Sequence, residues 1–316
     1  MLDRASIFMI HRVAEGTGAD ELSAKALTVV LEEVRARGFR VVSLESIIQR
    51  YLVGEPQLPD SIAFTLDDGF RQQMDIIAPL LARYDCEATV FLITGYIDRQ
   101  VWPWDYKIDY LLSHTKLVEI KHSIAGLTNP LRRGVETFSR DAVLNYCKSL
   151  AASEVNGIVN ALALAAEVDL PNSIPAEWEP LTWEGARALE SRGFRFAPHG
   201  VSHAILSRLP ASEAEREIRE SWKRVQEEVA FPCPVFAWPT GRSQDFGARE
   251  ICYAKRAGLI GAVTASCDYA LLPHRERNED VLYRIGRFAM PEDRLDFLQY
   301  STWIEHGKQS LLRRSA

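Results

Sequence analysis

Ile62-Ala63-Phe64-Thr65-Leu66-Asp67-Asp68-Gly69 is the stretch that decides the fold. An apolar run ends abruptly in two adjacent carboxylates and a glycine. Residues 61–66 read as a short strand, apolar enough to be covered on both faces, as in a parallel sheet flanked by helices. Asp67 and Asp68 fall where the strand gives out, and Gly69 lets the backbone turn away. In α/β folds that C-terminal strand edge is where ligands and catalytic groups collect. Neighbours in an extended segment point to opposite sides, so one carboxylate can hold a metal while the other handles a proton. Asp-Asp-Gly by itself also suits an Asx-turn closing a strand. The choice between the two rests on a second cluster further along.

Working outward, residues 6–10 predict a first strand with His11 at its C-terminal end. Residues 21–37 carry Leu22, Ala26, Val29, Val30 and Val34 at helical spacing and stop at Gly38; residues 39–42 follow as a strand and 44–51 as a short helix. Residues 72–84 look helical, with Pro79 a weak point, and 88–93 form the next strand. From about 96 to 180 the alternation is lost. That part holds the aromatic run Val101-Trp102-Pro103-Trp104-Asp105-Tyr106, a small hairpin at 116–124 and a helix at 141–168. It reads as an insertion in a single domain spanning 1–316. Regularity returns with helices at 182–191, 212–230, 244–257 and 291–306, and strands at 194–197, 235–238, 261–264 and 282–285. Arg37-Gly38-Phe39-Arg40 and Arg192-Gly193-Phe194-Arg195 both join a helix to a strand, and Ala257-Gly258-Leu259 makes the same transition; glycine at a helix C-terminus explains each. Seven or eight short strands alternating with helices point to an α/β fold, a closed or nearly closed parallel barrel.

With 316 residues, 47% hydrophobic, the chain can bury a sizeable core. Its formal charge of −6 and the lack of a basic stripe with interleaved aromatics speak against nucleic acid as a partner. Cysteines 86, 147, 233, 252 and 267 are scattered singly, which speaks against a disulfide framework or a thiolate metal site. Residues 1–13 lack the long apolar core of a signal peptide and no run reaches transmembrane length, so a cytoplasmic location is expected.

The second cluster is Pro198-His199-Gly200-Val201-Ser202-His203. His199 lies just past the strand at 194–197, and His203 follows four residues later. On one helical turn, or a tight loop of similar reach, both imidazoles can face a common point. Two neutral imidazoles plus a carboxylate make a three-ligand site with room for water, the pattern of a catalytic zinc-type centre. Both clusters sit at predicted C-terminal strand ends of one fold, which makes the pair far more specific than either half.

Taken together, these residues resemble the polysaccharide deacetylases of the NodB-homology group, carbohydrate esterase family 4. Thr65-Leu66-Asp67-Asp68-Gly69 resembles that family's first motif, Thr-Phe-Asp-Asp-Gly, and His199-Gly200-Val201-Ser202-His203 its second, His-Ser/Thr-x-x-His. Phe236-Ala237-Trp238-Pro239-Thr240-Gly241 is similar to a later groove motif, which in one branch reads Phe-Ala-Tyr-Pro-x-Gly. Ala88-Thr-Val-Phe91, Leu181-Thr-Trp183 and Leu206-Ser-Arg-Leu209 agree as well, so the likeness covers nearly all of the chain outside the insertion.

The resemblance implies a distorted (β/α) barrel of about seven strands with a divalent metal, zinc or alternatively cobalt, nickel or manganese, at the strand C-termini. It implies Asp68, His199 and His203 as ligands, Asp67 as general base, a Thr240 N–H for the oxyanion, and Trp238 and Pro239 lining the groove. Gly200 departs from the hydroxyl residue of the second motif. Ala237 stands where many members carry an arginine that orients the base; Arg284, in Leu282-Tyr-Arg284-Ile285, is the expected replacement. The family's late Leu-x-His, which carries the general acid, has no clear match. His274 is one candidate; the better one is His11, because Phe8-Met-Ile-His11-Arg-Val resembles the opening of permuted members, and a histidine suits proton donation to a departing amine. The implied activity is removal of an acyl group, in the first place N-acetyl, from an amino sugar of a polysaccharide or its precursor. A formyl group, or a nucleotide- or lipid-linked monosaccharide, fits the same chemistry. A non-catalytic glycan-binding barrel is the alternative of another class, although Asp67 and all three ligands are present. A two-metal phosphoesterase would need more ligands than these clusters supply.

Overall fold

The structure, a computed structural model, describes residues 4–14, 22–132, 136–271, 279–302 and 304. At its centre the strand Ser61–Asp68 is buried at every position. Arg4–Ile10 pairs with it in parallel on one side, Ser6 to Ile62 through Ile10 to Leu66. Arg40–Val41 pairs with its first residues and Ala88–Leu92 with its last, both in parallel. Arg195–Pro198 extends the sheet beyond Ala88–Leu92. Coverage of both faces accounts for the unbroken apolar run in the central strand. The crossovers that parallel strands require run through helices such as Ala24–Arg37 and Trp183–Glu190. The first of these is capped by the Ser23 hydroxyl and ends at Gly38 with φ 68°, the left-handed position that glycine takes without strain.

The ring continues less regularly. Val235–Ala237 and Gly261–Val263 form a parallel pair; single bridges, Phe196 to Pro232 and Val263 to Ile285, flank it. Phe288–Ala289 then pairs in parallel with Phe8 and Met9, and Ala270–Leu271 runs antiparallel to Arg4 and Ala5. Single bridges stand where a closed barrel has full ladders. Residues 282–285, expected as a strand, form the end of a 3₁₀ turn, Glu279–Tyr283, and a bridge at Ile285. Their apolar run reflects burial of Leu282, Tyr283 and Ile285; over four residues periodicity does not separate strand from turn.

Three other expectations shift. The helix at 72–84 is a π-helical turn, Gln73–Ile77, followed by an α-helix, Ala78–Arg83, with Pro79 in its first turn. Pro79 has no N–H to give to an earlier carbonyl, so it is tolerated only there. The single helix at 141–168 is two, Glu136–Ser149 and Ala152–Ala166. The hairpin at 116–124 is a pair of two-residue strands, Glu119–Ile120 with Leu131–Arg132. Together with the helix Trp104–His114, these elements enclose a second apolar core around Ile108, Leu111, Val143, Val159 and Leu162, separate from the core around the sheet. Among the described residues no helix is long and apolar enough to cross a membrane.

Candidate active site

Asp68, Leu92 and Pro198 are neighbours in register across three parallel strands. The strands therefore end at one level, and His199 is the first residue beyond. Its N–H donates to the Leu92 carbonyl at 2.9 Å. The residues after it form a tight loop, not a helical turn, with Gly200 at φ 79° and His203 at φ 61°. Thr94 and Gly95 pin that loop by donating to the carbonyls of Gly200 and Val201 at 3.0 and 2.9 Å. His199 Nε2 and His203 Nε2 consequently lie 3.4 and 3.9 Å from Asp68 Oδ1. One ligand atom from each of the three residues falls within 4.8 Å of the others, and all three residues are buried.

The far side of each ring is also fixed. His199 Nδ1 is 2.8 Å from the Ala237 carbonyl; a carbonyl only accepts, so Nδ1 is the donor there and Nε2 is the nitrogen turned to Asp68. His203 Nδ1 lies 3.1 Å from Asp105 Oδ2. A carbonyl or carboxylate behind the ring is the usual way a ligating imidazole is oriented. Asp68 Oδ1 is buried with no hydrogen-bond partner, which is costly for an acceptor unless something else satisfies it. Burial opposes ionisation of Asp68, yet the neighbouring imidazoles of His199, His11 and His203 hold its carboxyl well below the usual range. Burial likewise opposes a charged His203, but Asp105, Asp68 and Asp67 push it up to about 9. The centre thus favours positive charge, and its O, N, N donor set fits a divalent cation with a position left for water.

Asp67 points elsewhere. Both its oxygens accept from Arg287, Oδ1 from Nη1 and Oδ2 from Nη2, each at 2.7 Å. Arg287 is fully buried; its Nε donates to the Thr264 carbonyl and its Nη1 also to the Thr65 hydroxyl. Burial raises the Asp67 carboxyl, but the charge and hydrogen bonds of Arg287 outweigh that and bring it below its ordinary value. Arg284, the expected partner, is exposed, with its guanidinium 5.1 Å from the centre of the Phe246 ring. The two arginines are three apart in Arg284-Ile285-Gly286-Arg287: Arg284 closes the 3₁₀ turn, its N–H on the Val281 carbonyl, while Arg287 lies just before the strand Phe288–Ala289. The signal in the sequence was that second arginine.

Ile10 is opposite Leu66 in register, so His11 is level with Asp67. His11 is exposed and lines the same cavity of about 790 Å³ as Asp67, Asp68, His199 and His203. Gln73, fully buried in the π-helical turn, ties the two strand ends together by donating to the carbonyls of His11 and Asp67 at 2.9 and 2.5 Å. Thr240 also lines the cavity, at φ 58°; among the described residues its N–H has no acceptor, while its hydroxyl donates to the buried Asp245. Trp238 forms part of the wall, held by its ring N–H on the Tyr283 carbonyl and by stacking on Phe246. Pro239 is buried behind Gly200 and does not line the cavity. His274 lies outside the described residues.

Glu217, buried on the helix Ala211–Glu228, does what a hydroxyl at position 200 does not. Its Oε2 accepts from the N–H groups of Val201 and Ser202 at 2.7 and 2.9 Å, and its Oε1 from the Ser202 hydroxyl at 2.8 Å. A Cβ on Gly200 would come within 3.2 Å of Glu217 Oε2, so the glycine makes room for this brace.

The sequence matches the family model of the polysaccharide deacetylases over residues 54–259. No curated protein matches it significantly. Among solved structures it is similar to the Streptococcus pyogenes deacetylase PplD in complex with acetate, with a TM-score of 0.62 at 15% identity over 96% of this chain and 100% of that one. It is also similar to IcaB from Ammonifex degensii, with a TM-score of 0.56 at 14% identity over 96% and 97%. The BpsB deacetylase domain from Bordetella bronchiseptica has a TM-score of 0.55 at 15% identity over 91% and 96%. These likenesses carry the fold, the NodB-type arrangement of parallel strands and helices, and the match of residues 54–259 carries the family: the chain belongs to the polysaccharide deacetylases.

Proposed function

We propose that the protein is a metal-dependent amide hydrolase that removes the acetyl group from an N-acetylated amino sugar of a polysaccharide or its precursor. The observation that carries this reading is the division of labour between two adjacent carboxylates. Asp68 faces His199 and His203 with an unsatisfied oxygen, while Asp67 is turned onto Arg287 in the same cavity.

Asp68, His199 and His203 would hold a divalent ion, which when bound would supply Lewis acidity at the acyl carbonyl and make a nearby water easier to deprotonate. Asp67, kept ionised and oriented by Arg287, takes the proton of the attacking water. The Thr240 N–H, with no acceptor among the described residues, stabilises the negative charge developing on the carbonyl oxygen. His11, level with Asp67 at the cavity edge, gives a proton to the departing amine, which as an anion is too basic to leave. The Ala237 carbonyl and Asp105 hold the two imidazoles with their Nε2 atoms inward.

The test is a screen of acetylated and formylated amino sugars for released acid, with the protein loaded with zinc or cobalt and after chelation. Acetate released only by the loaded protein is the expected result. Release of formate alone would move the reading to a deformylase. No released acid from any acylated sugar with a fully loaded protein would contradict it.

A further inference from the structure

The cavity does not end at the barrel. Its far wall is built by the helices Trp104–His114 and Glu136–Ser149. At about 790 Å³ it is at the upper end of the range for small-molecule sites, so this wall faces parts of the substrate beyond the reacting amide.

The charges of the wall are paired, with one exception. Arg140 forks onto both oxygens of Asp109 at 2.5 and 2.9 Å. Asp105 is on His203. Arg242 is on Asp245, at 2.9 Å from Nε and 2.8 Å from Nη2. Of these, Arg140, Arg242, Asp105 and Asp245 are the charged neighbours of Lys148, two cations and two anions. Lys148 lines the cavity half-buried, with no acidic partner among the described residues. Burial, and after it the charge of Arg242, weakens the hold of Lys148 on its proton. An arriving anion relieves both penalties, since a half-buried ammonium is expensive when unpaired.

We propose that this wall is a subsite for an anionic substituent of the sugar, a phosphate or a carboxylate, which pairs with Lys148. The substrate is then an acidic or phosphorylated amino sugar, not a neutral one. The placement of the sugar rests on the amide-hydrolase reading; the anion site itself is tested by binding, without turnover.

Calorimetry on the full chain compares N-acetylglucosamine, N-acetylglucosamine 1-phosphate and N-acetylglucosaminuronic acid, in wild type, Lys148→Met and Lys148→Arg. Wild type should bind at least one anionic sugar about tenfold or more tighter than the neutral one, the scale of a hydrogen bond to a charged group. Which of the two is preferred separates phosphate from carboxylate. Lys148→Met should collapse that preference and Lys148→Arg keep it. Equal affinities in wild type would overturn the proposal, whatever the variants do. A preference that survives Lys148→Met would also overturn it, because it would then belong to the metal centre. Acid release from the same sugars tests the hydrolase reading separately.

Discussion

Arg287 does two jobs for Asp67: it cancels the cost of burying a carboxylate, and by occupying both oxygens from one side it fixes the direction of the remaining lone pairs. Lysine cannot fork onto both oxygens. Arg287→Lys should therefore fold yet lose kcat, while Arg287→Leu should destabilise the protein by about 3–5 kcal/mol, because it strands a buried charge. Thermal unfolding and initial rates on the same preparations check both. Arg284→Ala removes only an exposed contact over Phe246 and should cost about 1 kcal/mol or less, with turnover retained. The sequence made Asp67, Asp68, His199 and His203 legible because each is anchored by a local motif at a strand end. It could not rank Arg284 against Arg287, since that choice depends on the bridge at Ile285 and the register at Phe288, which are long-range pairings. His11→Ala should keep its metal and lose most of kcat, with a flattened alkaline limb in the pH profile, because that limb reports loss of the acid's proton. An unchanged profile would remove His11 from the acid's role.

Among the elements, the ligand loop and the helix behind it are coupled through Glu217. Glu217→Ala leaves two N–H groups and a hydroxyl without their acceptor. Weaker metal retention, by about 10- to 100-fold as for other outer partners of ligands, is expected with the helical content unchanged; dialysis against graded chelator measures it. Nothing near His199 in the sequence announced this brace, which comes from fourteen residues after His203. Asp105 was equally hidden: it lay in the aromatic run, in a stretch without repeat or motif. The alternation of strands and helices was legible because burial on both faces writes continuous apolar runs. Elements held by single bridges were not. A second clamp joins three elements at Asp98, which accepts from Trp183 Nε1 at 2.7 Å and from Arg224 Nε and Nη2 at 2.9 Å each. Partial burial opposes its ionisation, but Arg224 and Trp183 outweigh that and hold the carboxyl below its ordinary value. A lowered folded-state value means that this stabilisation is complete above the ordinary Asp pKa, about 3.9, and is lost as the pH falls through the folded value. Asp98→Asn should therefore be less stable than wild type at pH 7 by about 1–3 kcal/mol, and the gap should narrow towards pH 3. Urea unfolding at the two pH values decides it; a gap independent of pH would show that the carboxylate's charge is not what holds the clamp.

At the scale of the whole molecule, the incomplete ring of strands presents its C-terminal edge to one cavity, and two separate cores supply that cavity's opposite walls. The barrel side brings the proposed ligands, the proposed base and its arginine. The helical side brings Asp105 behind His203, and Lys148 to the part of the cavity proposed for the rest of the substrate. The account stands or falls on the division between Asp68 as ligand and Asp67 as base. Metal content per chain, measured by elemental analysis on wild type, His199→Ala and Asp67→Asn purified in parallel, tests that division most directly. One divalent ion in wild type, none in His199→Ala and one in Asp67→Asn, the last with turnover down by about 10²- to 10⁴-fold, is the predicted result. Stoichiometric metal in His199→Ala, or its loss from Asp67→Asn, would contradict it.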